Sequence, residues 1–350
     1  MTDGRATASD LVTPGHGASA AFAGRSTPGW AGDAGVCTGC GAPFLPRDRY
    51  CEACGATLPK LDADACVTCR SCGGPIDTDG YCTVCGVLDD AGPCPEHEEI
   101  DLGWVAAVTD RGHRHHANED AVAVATVAET MMAVVCDGVS STPGSAVASR
   151  GAADAALFAL HRVVGDADDW ADGMREAIEA ARAAASASPA PDPSNPPACT
   201  IVAAVGGSRR VVIGWLGDSR AYWLDASGGQ RLTRDDSWRA ERVATGVMTD
   251  EVAEVDPCAH LITRWLGADA PVGDPHIIEF DPPGTGMLVL CSDGLWNYGP
   301  SSEVLAQHAS GAAGEAARGL CEFALSSGGQ DNVTVVVARF AKEAGDDVSP

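Results

Sequence analysis

Short apolar runs separated by polar residues dominate the chain from Leu102 onward. Several of these runs are wholly apolar and end at Gly or Asp, which is typical of strands buried between two layers. The runs that predict strands are WVAAVTD, AVAVATV, MMAVVCDG, TIVAAVGG, RVVIGWLGDSRAYWL, GMLVLCSDGL and NVTVVVARF.

Ala-rich stretches at about 144–164 and 170–186 predict helices, and a last helix is expected near 302–326. The segment SPAPDPSNPP (188–197) predicts a loop, because repeated Pro prevents both a helix and an inner strand. Strands, two helices, more strands, a helix and a final strand together predict a layered α+β fold.

Composition divides the chain into segments. Residues 1–36 are rich in Gly, Ala, Ser, Thr and Pro without periodicity, which predicts a disordered segment. Residues 37–86 are rich in cysteine, and 87–100 (VLDDAGPCPEHEEI) predict an acidic linker. The large domain is expected over 101–341, followed by a tail at 342–350.

Four C-x-x-C-G units lie within 37–86, which holds nine of the fifteen cysteines. Two such units about ten residues apart offer four thiolates to one tetrahedral Zn²⁺. The Gly allows the backbone to turn so that amide N–H groups point at the sulfurs. One or two structural zinc ions are therefore expected, with the ligands Cys37, Cys40, Cys51, Cys54, Cys69, Cys72, Cys82 and Cys85.

The alternative reading of these cysteines is a disulfide scaffold. It conflicts with the cytoplasmic location expected from the lack of a signal peptide and of a long apolar run. Cys66 and Cys94 stand outside the zinc set unless the register shifts, since Arg70 replaces the Gly after Cys69. Small core residues are expected at Cys136, Cys199, Cys258, Cys291 and Cys321.

The charge balance limits the partners. The formal net charge is -26, and Lys60 and Lys342 are the only lysines. A nucleic acid or an anionic membrane is therefore not expected as a partner, and the zinc ribbons are expected to bind a protein or pack on the large domain. The rarity of Lys beside abundant Ala and Gly indicates a bacterial source with a GC-rich genome. An anionic substrate would need bound cations to attract it.

Five aspartates interrupt the strand-like runs. A single Asp-Gly at a strand end is usually a tight turn, but five acids at such ends predict carboxylates that meet at the rim of a sheet. Carboxylates there suit hard divalent cations, and two such cations about 4 Å apart would activate a water and bind a phosphoryl group. The aspartates are Asp120, Asp137, Asp218, Asp293 and Asp331.

The order NED, CDGV, GDSRAY, LTRDDSW, ITRWLG, CSDGLW and QDNVTVVV resembles the type 2C (PPM) protein phosphatases, over a stretch from Val108 to Val337. The resemblance implies an α/β/β/α sandwich of two antiparallel sheets flanked by helices, with the site at one end. It implies hydrolysis of phosphoserine and phosphothreonine on proteins, with Mn²⁺ or Mg²⁺ as cofactor.

The same resemblance implies residue roles. Asp137 would bridge two metal ions together with the backbone carbonyl of Gly138. A metal-bridging hydroxide would attack phosphorus in line, without a covalent enzyme intermediate, and the alkoxide would leave and gain a proton. The other carboxylates around the metal pair would be Asp120, Asp293 and Asp331.

Further positions follow by resemblance alone. Glu119 would act through a metal-bound water, and Asp218 would help hold a third, weaker metal ion. Asn332 and Ser219 would orient neighbouring side chains. A flap that influences substrate choice would span about 239–260.

The chain departs from the family at the phosphate-binding arginine, whose position is taken by His115. Either His115 or the adjacent Arg114 is a candidate to bind phosphate, and a histidine here is also a candidate proton donor. The alternative is that these histidines belong to a solvated loop. Val139 stands where many members carry a histidine after Asp-Gly.

A catalytically silent interaction protein with the same fold is the competing interpretation. It would be expected to lack at least one of Asp137, Asp293 and Asp331, and all three are present. The sequence therefore favours an active phosphatase in bacterial signalling, acting on phosphorylated proteins.

Overall fold

The computed structural model describes residues 35–36, 43–44, 95–165 and 170–341. The chain divides into two units, Met1–Ala65 and Cys66–Pro350. In the first unit, strand β1 (Gly35–Val36) pairs antiparallel with β2 (Pro43–Phe44). All eight predicted zinc cysteines, residues 1–34 of the predicted disordered segment and the tail 342–350 lie outside the described residues.

The described part of the second unit contains two large antiparallel sheets. The first is built from β3 (His97–Asp101), β4 (Val105–Asp110), β10 (Arg220–Leu224), β11 (Gln230–Arg231), β14 (Gly286–Cys291) and β15 (Val333–Phe340), in the order β11-β10-β14-β15-β4-β3. The second is built from β5 (Ala121–Val127), β6 (Thr130–Cys136), β8 (Ile201–Gly206), β9 (Val211–Leu216) and β13 (His276–Phe280), in the order β13-β9-β8-β6-β5.

A short ribbon and a set of helices complete the described residues. Strand β7 (Ala198–Cys199) pairs with β12 (Leu266–Gly267). The helices are α1 (Ser145–Val163), α2 (Trp170–Ser186), α3 (Trp238–Ala244), α4 (Asp250–Glu254), α5 (Asp293–Trp296), α6 (Ser302–His308) and α7 (Ala313–Ser327). None of these helices is both long enough and apolar enough to cross a membrane.

Three apolar clusters define the layers of this unit. Inner-face residues of both sheets, such as Val135 and Leu290, form the central cluster. The outer face of the second sheet packs on α1 and α2 through residues such as Met174. The outer face of the first sheet packs on α5, α6 and α7 through residues such as Leu320. The layers are therefore helix, sheet, sheet and helix, which confirms the predicted sandwich of antiparallel sheets with flanking helices.

Most of the predicted elements occur, with some differences. The helix expected over 302–326 is two helices, because the chain adopts a left-handed conformation at Gly311 (φ 80°) between them. Residues 97–100, expected in the linker, belong to β3 and pair with β4. Strand β13 was not predicted, since its residues are only partly buried and its run HIIEF is short. The expected loop at 188–197 is a loop up to β7.

The cysteines expected in the core follow the prediction with one exception. Cys136, Cys199, Cys291 and Cys321 are buried, whereas Cys258 is half-buried in the loop after α4. The prediction was therefore wrong for Cys258, because this cysteine lies outside the packed layers.

The central layer should determine the stability of the domain. Leu290 is fully buried between the sheets. We expect Leu290→Ala to lower the free energy of unfolding by about 2–5 kcal/mol, through lost burial and a residual cavity. Urea denaturation measures the change, with Val272→Ala as the control because that side chain is fully exposed. Equal effects of the two substitutions would contradict this layer assignment.

Candidate active site

Aspartates from both sheets meet at one end of the sandwich. Asp137 directly follows β6 of the second sheet, while Asp293 follows β14 of the first. The two are in contact, since the backbone N–H of Asp293 lies 3.4 Å from Oδ2 of Asp137. Asp120 precedes β5, and Asp331 lies two residues before β15. The strand ends thus bring the predicted acids to a common rim.

Two Asp-Gly pairs allow the chain segments at this rim to approach closely. A Cβ placed on Gly138 would lie 2.4 Å from the carbonyl oxygen of Glu119. A Cβ placed on Gly294 would lie 1.9 Å from the carbonyl oxygen of Asn332. Any side chain at either position would therefore separate the segments that carry the acids. The close backbone contacts therefore require glycine at both positions, whereas a turn alone would not.

Asn332 connects the last strand to the loop before β5. Its Oδ1 accepts the backbone N–H of Glu119 at 2.7 Å. Its Nδ2 donates to the carbonyls of Arg111 at 2.8 Å and Ala117 at 3.1 Å. Its backbone N–H donates to Oδ1 of Asp331 at 2.8 Å. This buried amide therefore fixes both loops that carry acids, as expected for a residue that orients its neighbours.

Helix α1 holds Glu119 from the other side. The Ser145 hydroxyl donates to Oε1 of Glu119, and the Ser149 hydroxyl donates to the Glu119 carbonyl at 2.5 Å. Because Ser145 is the first residue of α1, the Glu119 carboxylate lies near the N-terminus of this helix, where the helix dipole favours negative charge. Glu119 is thus held at its backbone and at one carboxylate oxygen.

The acids repel one another strongly. Burial, together with the negative charges of Asp293, Asp120, Asp218 and Asp331, raises the pKa of Asp137 well above its usual value. Burial and the neighbouring Asp293 likewise raise the pKa of Asp218. Burial and Asp331 raise the pKa of Asp293 to about 7. A nearby cation would stabilise the charged form of carboxylates whose pKa values are raised in this way.

Asp120 shows the need for a cation most directly. Its side chain is buried, and its Oδ2 has no hydrogen-bond partner among the described residues. Burial raises the pKa of Asp120 to about 8, against the opposing effect of hydrogen bonds from the hydroxyls of Ser292 and Thr334. A buried carboxylate oxygen without a partner is costly, and a hard cation would satisfy it. The donor set therefore fits Mn²⁺ or Mg²⁺.

The carboxylates of the rim lie close enough to repel one another but do not form a compact cluster. Within the described ranges, no three His, Cys, Asp or Glu side chains gather tightly enough to hold one ion between them. Nε2 of His115 lies 3.1 Å from Oδ1 of Asp331, so this histidine faces the acids. Arg114 is exposed and forms no ion pair with a described acid. Of these two residues, His115 is therefore the one that lies beside an acid of the rim.

Asp218 lies in the turn between β9 and β10, and a second network surrounds this turn. The indole N–H of Trp296 donates to the Asp218 carbonyl at 2.9 Å. Arg220 lies 3.5 Å from the centre of the Trp296 ring and forms a two-pronged bond with Asp235, at 3.0 and 2.7 Å. The hydroxyls of Ser219 and Thr200 are 2.7 Å apart. This network holds Asp218 against helix α5, which begins at Asp293.

The expected flap is a folded segment. Helices α3 and α4 lie within 238–254, and Arg239 joins them through a two-pronged ion pair with Asp250, at 2.9 and 2.8 Å. Val247 and Val255 are exposed on its surface.

Some contributing residues were not singled out from the sequence. Ser145 and Ser149 occur in an Ala-rich helix, where a serine gives no signal by itself. Thr334 interrupts a valine run, and its hydroxyl lies 2.7 Å from that of Thr109. The paired acids Asp235 and Asp236 were visible in LTRDDSW, but their partners are distant in sequence.

Comparison with known proteins identifies the family. The model of the protein phosphatase 2C family matches residues 109–317. The chain belongs to this family.

Individual relatives agree with this assignment. The serine/threonine phosphatase Stp of Listeria welshimeri is 37% identical over 155 residues, which cover 43% of this chain and 60% of the relative. The serine/threonine protein phosphatase PstP of Mycobacterium tuberculosis is 31% identical over 237 residues, which cover 67% of this chain and 44% of the relative. The match therefore spans less than two thirds of either relative's length.

A solved structure is similar over most of its length. The catalytic domain of the serine/threonine protein phosphatase PstP, in complex with two manganese ions, matches with a TM-score of 0.55 and 28% identity. The match covers 68% of this chain and 98% of that structure.

The raised pKa of Asp120 gives a pH dependence. Its carboxyl has a pKa of about 8 in the fold, against 3.8 ordinarily. Its stabilising contribution is therefore complete below the lower value and lost as the pH rises through the upper one. In EDTA, we expect Asp120→Asn, which stays neutral, to melt at a higher temperature than the wild type at pH 8.5, with the difference shrinking toward pH 4.

Calorimetry in EDTA and in Mn²⁺ checks this expectation. Added Mn²⁺ should raise the melting temperature of the wild type more than that of the Asp120→Asn variant. A variant that is less stable than the wild type at pH 8.5 in EDTA would show that the carboxylate has another partner.

Proposed function

We propose that the chain is a metal-dependent protein phosphatase that hydrolyses phosphoserine and phosphothreonine. The observation that carries this proposal is the rim where five aspartates lie close enough to repel one another, with Oδ2 of Asp120 buried and without a hydrogen-bond partner among the described residues. Relatives named serine/threonine phosphatases support it, as does a similar structure described in complex with two manganese ions.

In this proposal Asp137 would help to hold the cations, because it is close to acids of both sheets. The carbonyl of Gly138 and the carboxylates of Asp120, Asp293 and Asp331 would be further ligands. Glu119 would contact a cation through water, since Ser145 already occupies one of its oxygens. Asp218 would help hold a third, weaker cation.

Bound Mn²⁺ or Mg²⁺ supplies a water of lowered pKa and screens negative charge on phosphoryl oxygens. The protein's own residues fix the geometry. Asn332 holds the loops of Glu119 and Asp331 in place. His115, which lies beside Asp331, would contact a phosphoryl oxygen or donate a proton to the leaving alkoxide. No residue needs to form a covalent bond to phosphorus.

The silent interaction protein remains the second candidate. It would use the same fold to bind a partner, and the described site offers no observation in its favour, because every predicted metal carboxylate lies at the rim. The substrates that we propose are phosphorylated proteins, such as targets of a bacterial serine/threonine kinase.

The function can be tested at Asp137. We expect Asp137→Asn to lower the rate of phosphate release from a phosphothreonine peptide in Mn²⁺ by about 100-fold or more, because one carboxylate would serve both cations. EDTA should abolish release by the wild type. Malachite green detection of free phosphate measures both.

Asp281→Asn is the matched control, since this aspartate is exposed and follows Phe280, which pairs with Val211 at the end of β9 opposite Asp218. It should retain the wild-type rate. An Asp137→Asn variant with the control's rate would refute the metal assignment, and a wild type inactive with every divalent metal would favour the silent interpretation.

We further propose that residues 37–86 form two zinc ribbons. The eight cysteines lie outside the described residues, but strands β1 and β2 flank the first pair in sequence. Gly35 pairs with Phe44 and Val36 with Pro43, and the sequence between these two strands contains Cys37 and Cys40, which supports one half of a ribbon. The ribbons would bind a protein partner.

Zinc content tests this segment independently of catalysis. Elemental analysis should find about two zinc ions per chain, four thiolates being needed for each. Cys40→Ser should lower the content by about one ion, whereas Cys258→Ser, in the large domain, should leave it unchanged. A zinc-free protein, or one whose content does not respond to Cys40→Ser, would exclude the ribbons.

A further inference from the structure

Asp236 occupies a junction beside the candidate site. It belongs to LTRDDSW and is almost completely buried. It is two residues before α3, where the flap begins, and it packs against the turn between β9 and β10 that carries Asp218.

The first set of contacts joins Asp236 to that turn. The backbone N–H of Gly217 donates to Oδ2 of Asp236 at 3.0 Å. In return, the backbone N–H of Asp236 donates to the Gly217 carbonyl at 2.9 Å. Asp218 is the next residue, so the position of its carboxylate depends on this reciprocal pair.

The second set joins Asp236 to both ends of segment 238–261, which contains the expected flap. The backbone N–H of Thr263 donates to the carbonyl of Asp236 at 2.8 Å. Beside it, Ser237 and Ile262 form an antiparallel bridge, and the N–H of Trp238 donates to the carbonyl of Leu261 at 2.8 Å. The chain therefore enters and leaves segment 238–261 at one place, next to Asp236.

The third set holds the Asp236 side chain from strand β13. Nε2 of His276 lies 2.7 Å from Oδ1 of Asp236, and the His276 ring stacks on Trp215 of β9 at 4.9 Å. Nη1 of Arg264 lies 3.0 Å from the same His276 nitrogen and 3.7 Å from Oδ1 of Asp236. Both carboxylate oxygens are thus occupied, Oδ2 by the turn and Oδ1 by the side chains of His276 and Arg264.

We propose that Asp236 is a positioning residue that fixes the base of the flap relative to the turn of Asp218. One buried carboxylate joins three parts of the chain: the Asp218 turn, the two ends of segment 238–261, and strand β13. For a phosphatase, this contact sets where a peptide held by the flap lies relative to the acids. The activity part of this inference rests on the proposed function, whereas the structural part does not.

Two variants test the contact. Asp236→Asn keeps one acceptor oxygen but loses the charge and one acceptor. His276→Phe keeps a ring to stack on Trp215 but removes the bond to Asp236. This variant tests the same contact if Asp236→Asn does not fold. Asp225→Asn is the control, because Asp225 accepts bonds from Trp223 and Ser227 at the far end of strand β10.

Hydrogen exchange in the metal-free protein is the first measurement. We expect amides of 238–261 and of the Asp218 turn to exchange about tenfold faster in Asp236→Asn, as for loss of a charge-assisted hydrogen bond. His276→Phe should give a smaller change in the same segments. Exchange that matches the Asp225→Asn control, or that rises equally throughout the domain, would overturn the proposal.

Kinetics with two substrates is the second measurement. In Mn²⁺, Asp236→Asn should raise KM for a phosphothreonine peptide about tenfold. It should change KM for p-nitrophenyl phosphate little, since that substrate has no peptide for the flap to hold. Equal changes for both substrates, or none, would overturn the role in peptide positioning. A wild type that releases no phosphate would refute the proposed function. The hydrogen-exchange result would still show whether Asp236 fixes the base of the flap.

Discussion

Electrostatic repulsion among aspartates is the constraint on which this end of the fold depends. Asp137 lies close to acids from both sheets, so removal of its carboxylate from water is unfavourable unless a proton or a cation compensates. The surrounding protein offers little positive charge, since Arg220 is already bound to Asp235. The fold therefore holds the acids together at a cost in stability that binding of divalent cations would offset.

Neutral hydrogen bonds hold the acids in place. The amide of Asn332 and the hydroxyls of Ser145 and Ser149 bind the loop of Glu119 without adding charge. Gly138 and Gly294 let the backbones touch, so that the strand ends are positioned by main-chain contacts. This arrangement leaves the carboxylates free to face one another, because none of them is consumed in an ion pair with an arginine.

The sequence predicted the layers and the rim because both follow from local patterns. Apolar runs ending in Asp-Gly marked the strands β6 and β14, and Ala-rich stretches marked α1 and α2. The break at Gly311 and the partly buried strand β13 gave weaker signals. The hydrogen bonds of Asn332 and Asp236 could not be predicted from the sequence, since their partners lie up to 221 residues away along the chain. Tertiary contacts of this kind depend on how the two sheets stack.

The place of β15 in its sheet has a consequence for how the protein is made. This strand lies between β14 and β4, so the first sheet has a gap in its middle until residues 333–340 pair with 105–110 and 286–291. Asp331 and Asn332 arrive with the same strand. During synthesis on the ribosome, the acids near residue 120 therefore cannot meet Asp331 until more than 200 further residues of the chain have been made. A nascent domain that lacks this strand also lacks Asp331 and Asn332, so the rim is complete only once the end of the domain has been made and has paired.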